Sequence, residues 1–379
     1  MAQRKRVLVN AIPMCGVNTG IARYLRCLYT RMESSYAGEF EFWYFDGRSI
    51  SQKMPYGPRD LGHWFRWVDW YWKLPSPVAL LSRLGLHFRC EYHFGKLAKG
   101  FDLYHEAGFF PLRTPQEVKT VFTIHDLSLL RFPEHHPKER VLYTKLFFRS
   151  RCRYADHFLS VSNFTKTEMQ KWLHKGQEEV TVTPLAHDAS CFFCRPEQEV
   201  KAFVHRQNPP QRYFLFVGSG DPRKNMWVIP PALQTAALDI PLLVAGWSGW
   251  SKTRIPKNVI STGYVSDEHL AQLYAGALAL VFPSTYEGFG LPVLEAMACG
   301  CPVVTTMEAS LKEVGGEAAA YTHNPKDVQE LGSLLDELAF NPEMRQSLRH
   351  KGLDRAACFS WERTAELTRE VFWRVLDDI

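Results

Sequence analysis

The chain has 379 residues, 46% of them apolar and 22% charged, and a formal net charge of +5. That length suits two domains with cores of their own, and that balance is an ordinary globular one, which excludes a disordered or disulfide-scaffold protein. No run approaches the ~18 apolar residues of a membrane-crossing helix, and Met1-Ala-Gln-Arg-Lys-Arg6 leads straight into a strand, so a cytoplasmic chain is expected.

Nine cysteines, an odd and scattered set, agree with a reducing compartment. Cys191-Phe-Phe-Cys194 has no second pair at zinc-finger spacing and reads as packing. The charge is uneven: residues 1–190 hold 27 Lys+Arg against 18 Asp+Glu, whereas residues 191–379 hold 18 against 22. A basic first half points to an anionic partner, either a membrane surface or a phosphate-bearing acceptor. No nucleic-acid-binding motif accompanies it.

In chain order, Val7–Ile12 reads as a strand, followed by a turn with Gly16 and Gly20 and a helix from Ile21. Further strands are expected at Phe40–Phe45, Leu103–His105 and Val118–Ile124, then a helix from about Lys138 to Tyr154 and strands at His157–Val161 and Val180–Val182. The alternation restarts with strands at Tyr213–Val217, Leu242–Ala245, Val259–Thr262, Ala277–Phe282 and Pro302–Thr305. Helices are expected from about Asn225, from Ser266 and over Leu291–Cys299. Two such series predict an α/β protein of two doubly wound domains, residues 1–190 and 212–361. Pro196, the charged run Glu197–Lys201 and the prolines at 209 and 210 predict a linker over 191–211, and Trp361–Leu376 reads as an amphipathic helix.

Chemistry concentrates in Val281-Phe-Pro-Ser-Thr-Tyr-Glu287-Gly-Phe-Gly-Leu-Pro-Val-Leu-Glu295-Ala-Met-Ala-Cys-Gly300. The stretch predicts a strand, a tight turn and a helix opened by Pro292, with Glu287 on the turn and Glu295 on the first helical turn. Gly288 and Gly290 let the backbone approach a ligand and aim amides at it, where a helix N-terminus favours negative charge.

This stretch resembles the signature of the large retaining group 1 glycosyltransferase family, whose members adopt the two-domain GT-B fold, with two Rossmann-like domains facing each other across a cleft. The resemblance implies that Glu287 contacts the donor sugar, that Glu295 holds the ribose, and that Gly288, Phe289, Gly290 and Leu291 contact the donor phosphates through their backbone. It also implies that the C-terminal helix, 362–379, crosses back onto the N-terminal domain.

Phe216-Val-Gly218-Ser219-Gly220-Asp-Pro-Arg223-Lys224-Asn225 is a second candidate: a glycine-rich turn with two cations at a helix start, suited to a diphosphate. Ser219 stands where the family carries Arg, which leaves Lys224 as the main cation and Arg223 as the substitute. His125, in Thr-Ile-His-Asp, ends a strand and matches the family's sugar-contacting His. Asp126 either acts as a base, orients His125 or caps the next turn, and His105-Glu106 is a weaker acceptor-side candidate.

The layout looks most like bacterial mannosyl- or rhamnosyltransferases of surface polysaccharide assembly. It implies a nucleotide-sugar donor, GDP-linked before UDP-linked, and a saccharide or polyprenyl-linked acceptor. No Asp-x-Asp pair is present and neither a metal nor a cofactor is expected. Two alternatives stay open: an NAD-dependent oxidoreductase, using the Gly16/Gly20 turn with Asp46, and a non-catalytic sugar-nucleotide-binding protein. Residues 59–74 place four of eleven tryptophans within nine residues among Arg and Lys. They read as a membrane-interface contact, a lipid-acceptor slot or a core helix, and the enzyme as peripheral at the inner face of the membrane.

Overall fold

The structure is a computed structural model describing residues 3–16, 19–57, 76–207, 209–246 and 256–377. The tryptophan-rich stretch 59–74 lies outside the described residues. The chain divides into two compact units, Met1–Leu185 with Trp361–Ile379, and Ala186–Ser360.

The first unit is built on a seven-stranded sheet. Its strands are β1 (Lys5–Asn10), β2 (Phe40–Phe45), β3 (Ile50–Ser51), β4 (Leu103–Glu106), β5 (Lys119–Ile124), β6 (His157–Ser160) and β7 (Val180–Val182). They lie in the order β3-β2-β1-β4-β5-β6-β7. All pairs are parallel except β2 with the short β3, a strand too brief to be legible from sequence. β4 and β6 are buried at every position, as strands covered by helices on both faces must be. Ile12 leaves β1 for a 3-10 turn because Pro13 supplies no N–H to a sheet ladder.

Helix Trp361–Asp377 belongs to this unit. Its buried stripe sets Phe372 edge-on to Phe40 at 5.9 Å and Trp361 at 6.1 Å from Tyr24. Arg369 Nε and Trp373 Nε1 both donate to Glu39 at 2.6–2.8 Å.

The second unit carries a wholly parallel six-stranded sheet. Its strands are β8 (Phe214–Val217), β9 (Leu242–Ala245), β10 (Val259–Gly263), β11 (Ala279–Phe282), β12 (Val303–Thr306) and β13 (Ala320–Thr322), ordered β10-β9-β8-β11-β12-β13.

The stretch expected as a linker is largely structured and lies in the second unit. Glu197–Gln207 is a helix, with Phe203 buried and edge-on to His269 at 5.2 Å. The features read as a linker are helix-start signals: a proline just ahead, and Glu197 and Glu199 in the first turn, where the helix dipole favours acids.

In each sheet the strand order reverses beside one strand, β1 in the first and β8 in the second. Loops leaving the carboxyl ends of neighbouring strands there form the crevice in which such folds bind ligands. Those ends carry Asn10 and Glu106 in the first unit, and the loops holding Lys224 and Glu287 in the second.

Candidate active site

In the second unit, two loops from adjacent parallel strands are fastened together. The loop after β8 runs through Gly218, Asp221 and the 3-10 turn Pro222–Lys224. The carbonyl of Arg223 accepts from Thr285 N at 2.8 Å, and Ser284 Oγ lies 2.9 Å from it. Asn225, in left-handed conformation, sends Nδ2 to the carbonyls of Pro283 and Pro325. Lys224 Nζ is thereby placed 2.6 Å from Glu287 Oε1, with Ser284 Oγ 2.7 Å from the same oxygen. Both charged side chains keep a little solvent exposure, 21% for Lys224 and 14% for Glu287, so the pair sits at a mouth rather than in the core.

Gly290 is the hinge of this arrangement. It adopts φ +105°, and a Cβ there would lie 2.8 Å from Leu311 Cδ2. That left-handed residue caps helix Leu291–Ala298 without any side-chain cap, leaving the helix start turned toward the Glu287 loop. Ser310 Oγ braces the turn from behind, within 2.9 Å of the carbonyls of Glu287 and Phe289. The Phe289 side chain is buried, edge-on to Phe359 at 5.7 Å, so only its backbone faces the turn. Gly246 supports the same region from β9: a Cβ there would meet the Gly218 carbonyl oxygen at 2.1 Å.

Two site expectations need correction. Arg223 folds back on its own loop, where Asp221 accepts from Nε at 3.2 Å and Nη2 at 2.6 Å. Its charge is committed to Asp221, whose carboxyl is held below the usual range despite burial, because Arg223 donates to it. Glu295 is on the second helical turn, since the helix begins at Leu291, and is 1% exposed with Tyr274 Oη 3.3 Å from its Oε2. Ser219 lies half-buried on the β8 loop.

In the first unit, His125 follows β5 and its ring packs edge-on against Tyr24 at 4.9 Å. Part of the residue surface is accessible, but Nε2 is buried and has no hydrogen-bond partner among the described residues. Burial lowers its pKa to about 4, against the opposing effects of Asp126 and a hydrogen bond to the Ala107 backbone. Asp126 Oδ1 accepts from Ser128 N at 2.8 Å, a contact within the turn ahead of helix Ser128–Arg131, whose N-cap is Leu127.

His105 is structural. It is buried between Tyr29 Oη (2.5 Å) and Thr123 Oγ1 (2.8 Å), and burial lowers its pKa to about 3. Glu106 beside it is also buried, and Asn10 Nδ2 donates to both its carboxylate oxygens at 2.9 and 2.8 Å. Tyr104 Oη and Gly108 N donate to it as well, yet burial pushes its pKa up to about 7.

Gly20 opens its helix behind Thr19, whose Oγ1 accepts from Ala22 N. Gly16 lies on the preceding turn, and residues 17 and 18 are outside those described. Asp46, the acid that a dinucleotide reading needs for ribose, is spent on its own turn, accepting from the amides of Arg48 and Ser49 and from Ser49 Oγ.

None of the nine cysteines forms a disulfide. Cys194 Sγ accepts from Arg349, and burial pushes the Cys191 thiol up to about 11. Among the described residues no group of three His, Cys, Asp or Glu side chains is arranged to hold a metal ion, and no helix is long and apolar enough to cross a membrane.

Ser284, Ser310, Asp221 and Asn10 do not stand out in the sequence. Asp221 carries a readable signal, an acid ahead of Pro-Arg at a helical turn. The contacts of Ser310 and Asn10 are long-range, and Ser284 joins a local bond to Glu287, three residues on, with a long-range one to the Arg223 carbonyl.

Two parallel-sheet units with paired charges at the switch point of the second define a ligand-binding α/β architecture. Its fold matches that of sucrose-phosphate synthase from Thermosynechococcus elongatus, with a TM-score of 0.74 and 19% identity over 100% of both chains. Residues 197–355 match the family model for glycosyl transferases group 1, and residues 51–190 match that for glycosyltransferase family 4. The O-antigen chain mannosyltransferase B of Escherichia coli is 33% identical over 274 residues, covering 69% of this chain and 71% of that one. A serotype-specific mannosyltransferase WbdA of Escherichia coli is 27% identical over 282 residues, 68% of this chain, which spans only 34% of that longer relative. The chain belongs to the group 1 glycosyl transferases, a GT-B glycosyltransferase. The oxidoreductase alternative has no support.

Proposed function

We propose that this glycosyltransferase moves mannose, with retention of configuration and without a metal ion, from GDP-mannose to a hydroxyl of a saccharide or polyprenyl-linked saccharide. Reducing-compartment action fits nine cysteines of which none is disulfide-bonded. The observation that carries the reading is the Lys224–Glu287 pair at the start of helix Leu291–Ala298. The mannosyltransferase name of the 33% identical relative supports the choice of sugar.

In this reading the donor diphosphate replaces Glu287 as the partner of Lys224, and the helix start and loop amides take its remaining charge. Glu287, freed from the pair, accepts hydrogen bonds from the transferred sugar, and Glu295 accepts from the ribose. His125 is neutral at pH 7, and its buried Nε2 accepts from a sugar hydroxyl. The acceptor oxygen forms its bond to the anomeric carbon on the face from which the diphosphate leaves. Its proton passes to the departing phosphate oxygen, so no protein nucleophile is needed.

The test incubates purified protein, GDP-mannose and a lipid-linked or saccharide acceptor with EDTA, and reads the new anomeric configuration by NMR. An α-linked product whose yield is unchanged by EDTA supports every part of the reading. A β-linkage overturns retention, loss with EDTA overturns metal independence, and turnover with a UDP-sugar alone overturns the donor. Donor binding without turnover with any acceptor leaves the binding-protein alternative.

A further inference from the structure

Helix Ser76–Leu97 is apolar on two sides. One side is buried: Ala79, His87 and Phe94 face the interior, and Tyr143 Oη is 3.1 Å from His87 Nδ1. The other side is open. At about 100° per residue, Val78, Leu81, Phe88 and Tyr92 fall within an arc of ~80°. All four are exposed, Leu81 by 68%, Phe88 by 57% and Tyr92 by 60%. Single exposed apolar residues are normal, but a stripe of them along about four turns marks an interaction surface.

The stripe continues onto the adjoining helix Lys138–Arg151. The Phe88 and Phe147 rings are 6.3 Å apart, and Leu142 and Leu146, one turn from each other, are exposed on that second helix. The exposed charges of both helices have one sign. Lys96 lies at the edge of the stripe's arc and Arg89 just beyond that edge, and Lys145 and Arg149 lie beside Leu142 and Leu146. The only acids on the two helices, Glu91 and Glu139, are half-buried, and Glu91 accepts from Arg151 at 2.8 Å.

We infer that this surface docks on an anionic lipid bilayer, lying in its interface without spanning it. Leucine, phenylalanine and tyrosine side chains framed by cations alone match a headgroup layer of negative charge over hydrocarbon. The Tyr92 ring, with Lys96 Nζ 4.1 Å from its centroid, suits the boundary between the two. A second copy of the chain is a poorer occupant, because a two-fold contact would set the same cations against each other. The inference is independent of which sugar is transferred.

The full chain is sedimented with sucrose-loaded vesicles, without any sugar nucleotide, and compared with Leu81→Glu/Phe88→Glu and Arg89→Glu/Lys96→Glu. All four residues are exposed and outside the candidate site, and thermal unfolding checks that each variant folds. Wild type is expected to pellet with an equal mixture of phosphatidylcholine and phosphatidylglycerol, to stay in solution with phosphatidylcholine alone, and to be released by salt. Each double variant is expected to bind about tenfold less or weaker, while transfer to a water-soluble acceptor is unchanged. Wild type that remains in solution with anionic vesicles, or folded variants that pellet equally, overturns the inference. So does a dimer in light scattering that Leu81→Glu/Phe88→Glu dissociates.

Discussion

Lys224 and Glu287, 63 residues apart in sequence, meet at 2.6 Å because β8 and β11 are hydrogen-bonded neighbours whose loops leave the sheet side by side. The pair is a closed electrostatic unit, and a ligand with two negative charges would compete directly with Glu287 for the ammonium. In the proposed reaction, binding a diphosphate at Lys224 and releasing Glu287 toward a sugar are a single exchange of partners.

That exchange predicts strong non-additivity. Lys224→Ala and Glu287→Gln are each expected to lower kcat/KM by about 100-fold or more, and the double variant little further, since residues acting as one unit do not contribute separately. Their folding stability should fall by ~1–3 kcal/mol, since the pair is mostly buried and each variant leaves a polar group without its partner. Steady-state kinetics with chemical unfolding reads both. Additive kinetic losses would show two independent roles.

Glycine positions differ by what obstructs them. At Gly290 an added methyl meets the movable tip of Leu311, and the left-handed backbone adds strain. Gly290→Ala is expected to fold with a loss of ~1–3 kcal/mol and to lose donor-dependent thermal stabilisation. At Gly246 the obstruction is the Gly218 backbone at 2.1 Å, which no rotamer change relieves. Gly246→Ala should therefore unfold at a lower temperature than Gly290→Ala, and the reverse order would refute the argument.

Glu295 is buried under the helix start, so its replacement reports on ligand rather than on charge at the mouth. Glu295→Gln keeps the shape and is expected to raise KM for the nucleotide sugar about 10–100-fold, with kcat much less affected. Isothermal titration with the nucleoside diphosphate alone checks this. Unchanged nucleotide affinity would remove Glu295 from ribose binding.

His105 and Glu106 are buried neighbours with opposite pH dependence. His105, lowered from 6.5 to about 3, stays neutral in the folded state while the unfolded chain takes up a proton, so its contribution is lost as pH falls below 6.5. Glu106, raised from 4.5 to about 7, keeps its proton when the unfolded chain has lost it, so its contribution is lost as pH rises from 4.5 toward 7. Between pH 4.5 and 6.5 the two offset each other. Glu106→Gln should make stability fall more steeply on acidification through that window, and His105→Gln should make it fall less steeply or rise. Urea unfolding at several pH values tests it, and identical slopes in both variants would refute the assignment.

Much of the second unit was legible because Glu287, Gly288, Gly290, Pro292 and Glu295 sit within nine residues, where turn and helix-start chemistry are local. The placement of Lys224 on a glycine-rich loop was equally local, but its pairing with Glu287 depends on which strands are neighbours. Arg223 misled for a related reason: an adjacent Arg-Lys looks like a double cation until Asp221, two residues upstream, is seen to fold onto one of them. The helix Ser76–Leu97 is hidden in the sequence because apolar residues on two faces erase the one-sided periodicity that announces a surface helix. Phe203 likewise anchors a helix whose charged, proline-flanked sequence resembles a linker.

The return of Trp361–Asp377 to the first unit makes the second unit an insertion between two pieces of one sheet-and-helix body. During synthesis, Phe40 and Tyr24 wait for Phe372 and Trp361 until every residue of the second unit has left the ribosome. A chain arrested before Trp361 holds a complete second unit and an unfinished first one. Recognition by chaperones and proteases should therefore fall on the half that was made first.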